Sequence, residues 1–570
     1  MTIIPPGIRS PNVLAAARWS AAISASIGVL IIAVLMGLMI QDKLQGPLVT
    51  KELEKLRADL HASPSDNALK DKYRQADARI RFEFFTRHTR MARGNYLLLA
   101  AGIALVLSVK AIRQAEKRGL TLVELTAVRP APTAANWYAV GSVSLAVLAL
   151  FGAGSALAFR VTSATKLLPE DAPAITIVFP DEATLRANWP VFRGWGGSGI
   201  VAGTTDLPHW DAAKNESILW KSPVPGGGQS SPIVWRERIF LTGFANQPEL
   251  YCFSVSDGKL LWTSPITPTL PDAPSVNEDT GLAAPTPATD GTLVYAIFAS
   301  GDIAAFDFTG KRVWQRFLGK PESDYGYAAS LSVNAGNVIV QWDMGKGERG
   351  NGSVLMAIDG ATGRNVWVKP RATPATWASP IVAAGRIFAM GRPNISAYEA
   401  ATGAEIWHAA LNLNDDVACT PAFVDNHLYV ANVGGCVAGI SNAGTGDVSE
   451  SAVPWKKLDE GLPDISSPTS DGKLVWTIAP GGNLFCFDAA AGTKIYEETL
   501  GAPVHASPLL LGEFLLITDT VGKTHKLSTG RAFKEVATSS LGENVSASPA
   551  VAAGKLFIRA KKNLYCIGTK

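Results

Sequence analysis

Cysteine is too scarce and too scattered in this chain to build a disulfide framework: there are five in 570 residues, an odd number, with no C-x-x-C spacing. The same shortage leaves a covalent c-type haem or a clustered iron–sulfur run without ligands. Charge is also sparse, at 18% of residues with a net charge of +3, so there is no basic footprint for nucleic acid, and no recognition motif supplies one. Histidine is sparse too, at seven residues. His209, His408, His427, His505 and His525 fall without metal-ligand spacing and read as structural. The glycine-rich stretch PGGGQSS from Pro225 lacks the Lys-Ser/Thr that completes a phosphate loop and opens a strand, so it reads as a turn.

What the sequence does contain is apolar length and turn residues: 47% hydrophobic, with 53 Gly and 35 Pro, a mixture that suits membrane helices followed by many short strands. Residues 20–40 are uncharged and long enough to cross a hydrocarbon core of roughly 30 Å as a helix. They exceed a signal-peptide core of about 7–15 residues, and no convincing cleavage site follows. Tyr96 to Val109 and Trp137 to Phe159 form two further runs, closed by Lys110 and Arg160. Lys110, Arg113, Lys117, Arg118 and Arg129 outnumber Glu116 and Glu124 in the loop between them, which marks that loop as cytoplasmic. Arg87, Arg90 and Arg93 at the outer end of the second run count against this orientation.

The resulting layout is a cytoplasmic N-terminus over 1–17, spans over 18–40, 95–112 and 136–159, an outer segment over 41–94, a cytoplasmic loop over 113–135 and a linker over 160–184. Leu53, Leu56 and Leu60, then Leu69, Tyr73, Ala76 and Ile80, recur at helical spacing on either side of Ser63-Pro64. Residues 41–94 therefore read as a helical hairpin, either a stiff spacer or a docking surface for a partner subunit.

From residue 230 one pattern returns eight times, with starts at Ser230, Pro285, Ala329, Ala378, Cys419, Ser466, Ala506 and Ala547. A Ser/Thr-Pro or similar opening leads to a Gly or Asn turn and an alternating strand. A second element with a tight Gly turn follows most copies and ends at Trp262, Trp314, Trp367 or Trp407. Strands at this period make four-stranded antiparallel blades, and eight starts imply eight blades. The last copy stops at NLYCIGTK before its outgoing strand, while ILWKSPV from Ile218 has no preceding partner; the N-terminal strand is therefore expected to complete the C-terminal blade. Cys252, Cys486 and Cys566 occupy one place in three such motifs, which reads as a small buried slot. The pairing of Cys419 with Cys436 is left open by spacing.

These motifs, AIDGATGRNVW and AYEAATGAEIW among them, resemble the pyrroloquinoline-quinone-like propeller repeat, whose tryptophan packs between blades. The resemblance spans residues 185–570 and includes WPVFRGWGGSGIV from Trp189 and WVKPRATPATWASPIV from Trp367, which look like bacterial envelope propellers. SNAGTGDVSES, DAAAGTKIYEE and STGRAFKEV lack the indole. The resemblance implies an all-β eight-bladed propeller, and together with the apolar runs and their charge bias the expected molecule carries it behind a three-span α-helical membrane region with a helical hairpin, at a bacterial inner membrane with the propeller in the periplasm. Membrane-bound quinoprotein dehydrogenases of sugars or alcohols look similar, and in them pyrroloquinoline quinone (PQQ) and Ca²⁺ lie on the propeller axis with an Asp as base; alcohol-oxidising members add an adjacent Cys-Cys pair.

No Cys-Cys pair occurs here, and Glu278-Asp279, Asp324, Asp343 and Asp415-Asp416 read as turn and loop carboxylates. The expectation is a non-catalytic scaffold or accessory subunit of a membrane complex, possible hosts including electron-transport assemblies. Its expected partners are membrane or periplasmic proteins and the lipid bilayer, not nucleic acid, and no catalytic, cofactor-binding or metal residue is assigned. PQQ and Ca²⁺ belong to the alternative, a dehydrogenase passing electrons to quinone. A third reading is a scaffold for outer-membrane protein assembly.

Overall fold

The computed structural model describes residues 177–569, apart from 202, 204–206, 271–273, 275, 279, 347–349 and 351. The expected spans and helical hairpin lie outside the described residues. Among those described, no helix is long and apolar enough to cross a membrane.

Among the described residues thirty-three short strands form eight sheets, each built around a four-stranded antiparallel meander. Blades 1 to 7 have innermost strands at Ile233–Trp235, Ala288–Thr289, Ser332–Asn334, Ile381–Ala383, Ala422–Val424, Thr469–Ser470 and Leu509–Leu511. Their outermost strands are Leu260–Pro265, Arg312–Phe317, Asn365–Pro370, Glu405–Ala410, Trp455–Lys457, Lys494–Thr499 and Glu535–Ser540. Blade 8 takes Ala550–Ala552, Lys555–Arg559 and Asn563–Ile567 from the C-terminus, and its outermost strand is Ile218–Pro223. Ile218 pairs with Ile567 and Pro223 with Asn563, so the expected closure is what the fold adopts.

The Ser/Thr-Pro openings explain how the blades are held in a circle. An innermost strand has no neighbour on its axial side, so the N–H at its start needs a partner from elsewhere. The hydroxyl of the next blade accepts it. Ser231 N–H donates to Thr286 Oγ1, Thr286 to Ser330, Ser330 to Ser379, Ser379 to Thr420, Thr420 to Ser467, Ser467 to Ser507, Ser507 to Ser548, and Ser548 back to Ser231. All eight bonds are 2.8–3.1 Å long and buried.

At larger radius the blades are joined by tryptophan. Indole N–H groups of Trp220, Trp262, Trp314 and Trp455 donate to Val255, Phe308, Gly360 and Ala489 carbonyls one blade on, at 2.7–3.1 Å. Each ring lies on the glycine of its neighbour's turn. A Cβ on Gly310, where φ is +88°, would come within 2.7 Å of Trp262, so both the conformation and the approach require glycine. The residue opposite the aromatic on the third strand is small: Cys252 faces Trp262, Ala305 faces Trp314, Gly439 faces Trp455, Cys486 faces Tyr496 and Cys566 faces Trp220. That is the slot the three cysteines fill, and burial raises their thiols to about 11 for Cys252 and about 12 for the other two.

The blade-5 stretch that lacks an indole is a detour. Gly446–Asp447 leaves to pair in parallel with the outer strand of blade 4, and Trp455 arrives later to take the inter-blade place. Blade 6 uses Tyr496, whose hydroxyl accepts from Trp476 Nε1 at 2.8 Å. Blade 7 reverses the sizes, setting Lys526 against Ala537.

The seam between blades 8 and 1 has its own fastening. Arg559 is 2% exposed and donates to Ser230 O, Ser230 Oγ and Thr242 O at 2.6–3.2 Å, and to Gly226 O at 3.3 Å. The glycine-rich turn at Pro225 brings these carbonyls together, and burial lowers the guanidinium to about 10. Replacing Arg559 with Met strands several buried acceptors, each worth roughly 1–3 kcal/mol. Thermal denaturation is expected to show a loss of at least 2 kcal/mol, about the scale of one or two such groups, while the exposed Lys561→Met serves as an unaffected control.

Candidate functional site: the axis and its mouth

Residues 189–201 cross the axis on the side where the innermost strands end. Trp189 exchanges backbone hydrogen bonds with Val234 of blade 1, and Pro190 O accepts from Thr289 of blade 2. Ser198 exchanges two bonds with Phe423 of blade 5, and its carbonyl accepts from Thr469 of blade 6. Gly199 and Val201 bond to Leu510 of blade 7. The segment takes this path because Arg193, Gly194, Gly196, Gly197 and Gly199 all have positive φ, which coils RGWGGSG tightly enough to follow the inner circle.

Arg193 fills the space this coil encloses. It is 1% exposed, and its guanidinium donates to Pro468 O at 2.5 Å, Ser198 O at 3.1 Å and Thr420 O at 3.4 Å. No carboxylate pairs with it among the described residues, and burial lowers it to about 9. Residues 189–201 therefore run across the ring from blades 1 and 2 to blades 5, 6 and 7, and Arg193 ties the crossing to blades 5 and 6. In the sequence WPVFRGWGGSGIV carries a family likeness, and the charged residue amid its glycines is the local signal for this tie.

At the opposite end, the residues two positions before the hydroxyl ring surround the mouth. They include Trp377, Ile465 and His505, with Ala284, Ala328, Ala418 and Ser546 at equivalent places. Tyr325, Asp415, Asp416 and Asp464 come from the same loops. Tyr325 and Trp377 meet edge to face, their ring centroids 4.8 Å apart. Asp464 is raised by burial and then by Asp416 and Asp415, with His505 opposing.

The carboxylates weighed in the sequence divide by this geometry. Asp415 and Asp416 reach the mouth, while Asp324 pairs with Lys346 at 2.9 Å on the surface. Glu278 remains in a loop, and Asp279 lies outside the described residues. Asp343, read as a loop residue, is buried between blades 3 and 4. Arg371 Nε donates to its Oδ1 at 2.9 Å, and Thr376 and Gln341 donate to Oδ2 at 2.6 and 2.7 Å. Burial raises the Asp343 carboxyl while Arg371 pulls it down. The histidines stay apart: His209 faces Ser539, His408 faces Glu405, His427 faces Asp425 O, and His525 is buried against Glu535 at 2.6 Å. Cys419 and Cys436 are free and buried.

A Ca²⁺ on the axis needs several hard oxygens free to turn toward it. The inner oxygens of Ser198, Thr420 and Pro468 are already given to a guanidinium. PQQ is a tricarboxylate, and at the mouth it would face Asp415, Asp416 and Asp464, with like charge opposing it. The described residues do not fit this pair of groups.

The Asp343–Arg371 pair gives a clear stability test. Arg371→Met leaves a buried carboxylate unpaired and is expected to cost about 3–5 kcal/mol. Adding Asp343→Leu is expected to recover most of that loss in denaturant unfolding.

Residues 187–346 and 350–466 match a family model described as outer membrane protein assembly factor BamB. Among solved structures, a europium-containing methanol dehydrogenase is 11% identical, covering 67% of this chain and 98% of that one with a TM-score of 0.51. The quinohemoprotein alcohol dehydrogenase of Comamonas testosteroni is 13% identical, with 69% and 83% covered and a TM-score of 0.51. BamB from Moraxella catarrhalis is 16% identical, with 65% and 98% covered and a TM-score of 0.44. No curated protein matches. At these identities the likeness to the dehydrogenases is one of fold.

Proposed function

We propose, from the premise that this chain is a pyrroloquinoline-quinone-like β-propeller repeat protein, that it is a non-catalytic binding scaffold. Its role is that of an accessory subunit, fixed to a bacterial inner membrane by the apolar N-terminal runs and holding its propeller in the periplasm. The observation that carries the reading is the crossing segment. Where a propeller enzyme needs an open centre for cofactor and substrate, this chain lays its own residues 189–201 from blades 1 and 2 across to blades 5, 6 and 7. What remains for function is the mouth and the loops around it, on a rigid frame that presents them at fixed distances. The family description, an assembly factor, supports a protein-binding role.

Purification of the full chain in mild detergent, followed by identification of co-purifying chains, tests this. A defined set of membrane or periplasmic proteins is expected. A strictly solitary protein that reduces a dye with sugars or alcohols, once given PQQ and Ca²⁺, would overturn it.

A further inference from the structure

The loops at the mouth are one surface that the frame presents, and the outer rim of the ring is another. Each blade ends in an outermost strand whose far edge turns backbone groups to solvent unless a further segment pairs with it. The chain itself covers two of these edges. On blade 4, Gly446 and Asp447 run parallel to Trp407 and His408, and Val448 N–H donates to His408 O at 2.9 Å. On blade 7, Asp211 pairs in parallel with Ser540; Ala212 N–H donates to Ser540 O at 2.9 Å, and Ser540 N–H to Trp210 O at 3.2 Å. The rim thus accepts a short extended segment as an added strand, and both times in the parallel sense.

Blade 1 presents the same edge without a cover. Ile266 N–H donates inward to Pro248 O at 2.9 Å, as Leu411 N–H does to Pro393 O in blade 4 at 3.1 Å. Alternation along an antiparallel pair then turns Thr263 outward, in the place that His408 holds in blade 4. Among the described residues no strand pairs with the far side of Leu260–Pro265. Charge is a common guard against stray pairing, and every other outermost strand carries at least one charged side chain. Leu260–Pro265 reads LLWTSP and carries none. Its Leu260 and Leu261 are 42% and 46% exposed. The bulge at Leu261 recurs in blade 4, whose edge is paired all the same. Beside the strand, Pro223, Pro225, Phe253, Gly258 and Leu260 line a recess of about 380 Å³ between blades 8 and 1. Lys259 and Asp257 at its rim cancel each other's charge at 2.8 Å.

We propose that the blade 1 edge takes an extended segment of a partner protein as a fifth strand, parallel to Leu260–Pro265 and exchanging backbone hydrogen bonds with Thr263. The proposal rests on the scaffold reading above. The segment that fits is uncharged, because a charge laid against Leu260 and Leu261 loses water and gains no counter-charge. It carries an apolar side chain for the recess. A second copy of this chain would meet the edge antiparallel to itself, opposite to both covers that the fold already uses.

Binding of the fluorescein-labelled peptide Thr-Val-Leu-Val-Thr-amide to the full chain in a non-ionic detergent tests the edge, and hydrogen exchange locates it. With peptide bound, residues 260–266 are expected to exchange about tenfold more slowly, while 365–370 on blade 3 are unchanged. Thr263→Pro removes an outward N–H at an edge position where proline is tolerated, and Leu261→Lys adds a guarding charge. Each is expected to weaken binding about tenfold, whereas Val366→Lys on the blade 3 edge changes nothing. A peptide that binds both variants as well as the parent, or fails to bind the parent, overturns the assignment. Protection of 260–266 that appears in the chain alone and grows with its concentration makes a second copy the occupant and overturns the partner strand. Co-purification of the Leu261→Lys variant separates the two readings. Partners retained after peptide binding is lost overturn the edge as their grip and leave the scaffold standing, whereas a parent chain that co-purifies with nothing removes the scaffold reading and this proposal with it.

Discussion

The closed circle of hydroxyl-to-amide hydrogen bonds is the constraint on which the rest of the propeller depends. Each link joins two blades, and the eighth returns to the first, from Ser548 to Ser231. One such bond contributes about 1 kcal/mol net. Its weight lies in geometry, since an innermost strand that slipped along its neighbour would strand a buried donor in two blades at once. With the inner radius fixed, the distance between neighbouring sheets is set at larger radius too, and indole rings fill it.

The alternation of sizes there is strict enough to read as a rule. An aromatic on the fourth strand faces a small residue on the third, and under Trp220, Trp262, Trp314, Trp367 and Trp455 the next blade's turn brings a glycine against the ring. Cysteine at three of these places has no redox role to account for. It is small, apolar and, with its thiol raised by burial, unreactive. Blade 7 keeps the total volume by exchanging the partners, Lys526 for the small residue and Ala537 for the aromatic.

Repetition made most of this legible in the sequence. Eight openings, the inter-blade tryptophans and the unpaired strand at Ile218 were all recoverable, because each is a local pattern that recurs. Trp455 escaped because a detour through Gly446–Asp447 displaced it from its expected spacing. Asp343 looked like a turn carboxylate because Arg371, its partner, belongs to the following loop and no local pattern links the two. The mouth was the least legible of all. Tyr325, Trp377, Asp416, Asp464 and His505 come from five successive loops, which only the stacking of the blades brings to one end of the ring. Repeats announce what is shared between blades, while a binding surface is made from what differs between them.

Closure by the strand Ile218–Pro223 has a consequence for how the molecule comes to exist. That strand emerges from the ribosome before any blade, yet its partner Asn563–Ile567 is made only after the other seven blades. Seven blades can form in order, each on local contacts, but the hydroxyl circle and the Arg559 fastening must wait for the eighth. Until then the nascent chain carries two open edges, the exposed state in which strand-rich proteins are most prone to pair with the wrong neighbour. Removing Asn563–Ile567 is therefore no minor trimming: it unpairs the first strand of the propeller and leaves the whole ring ajar.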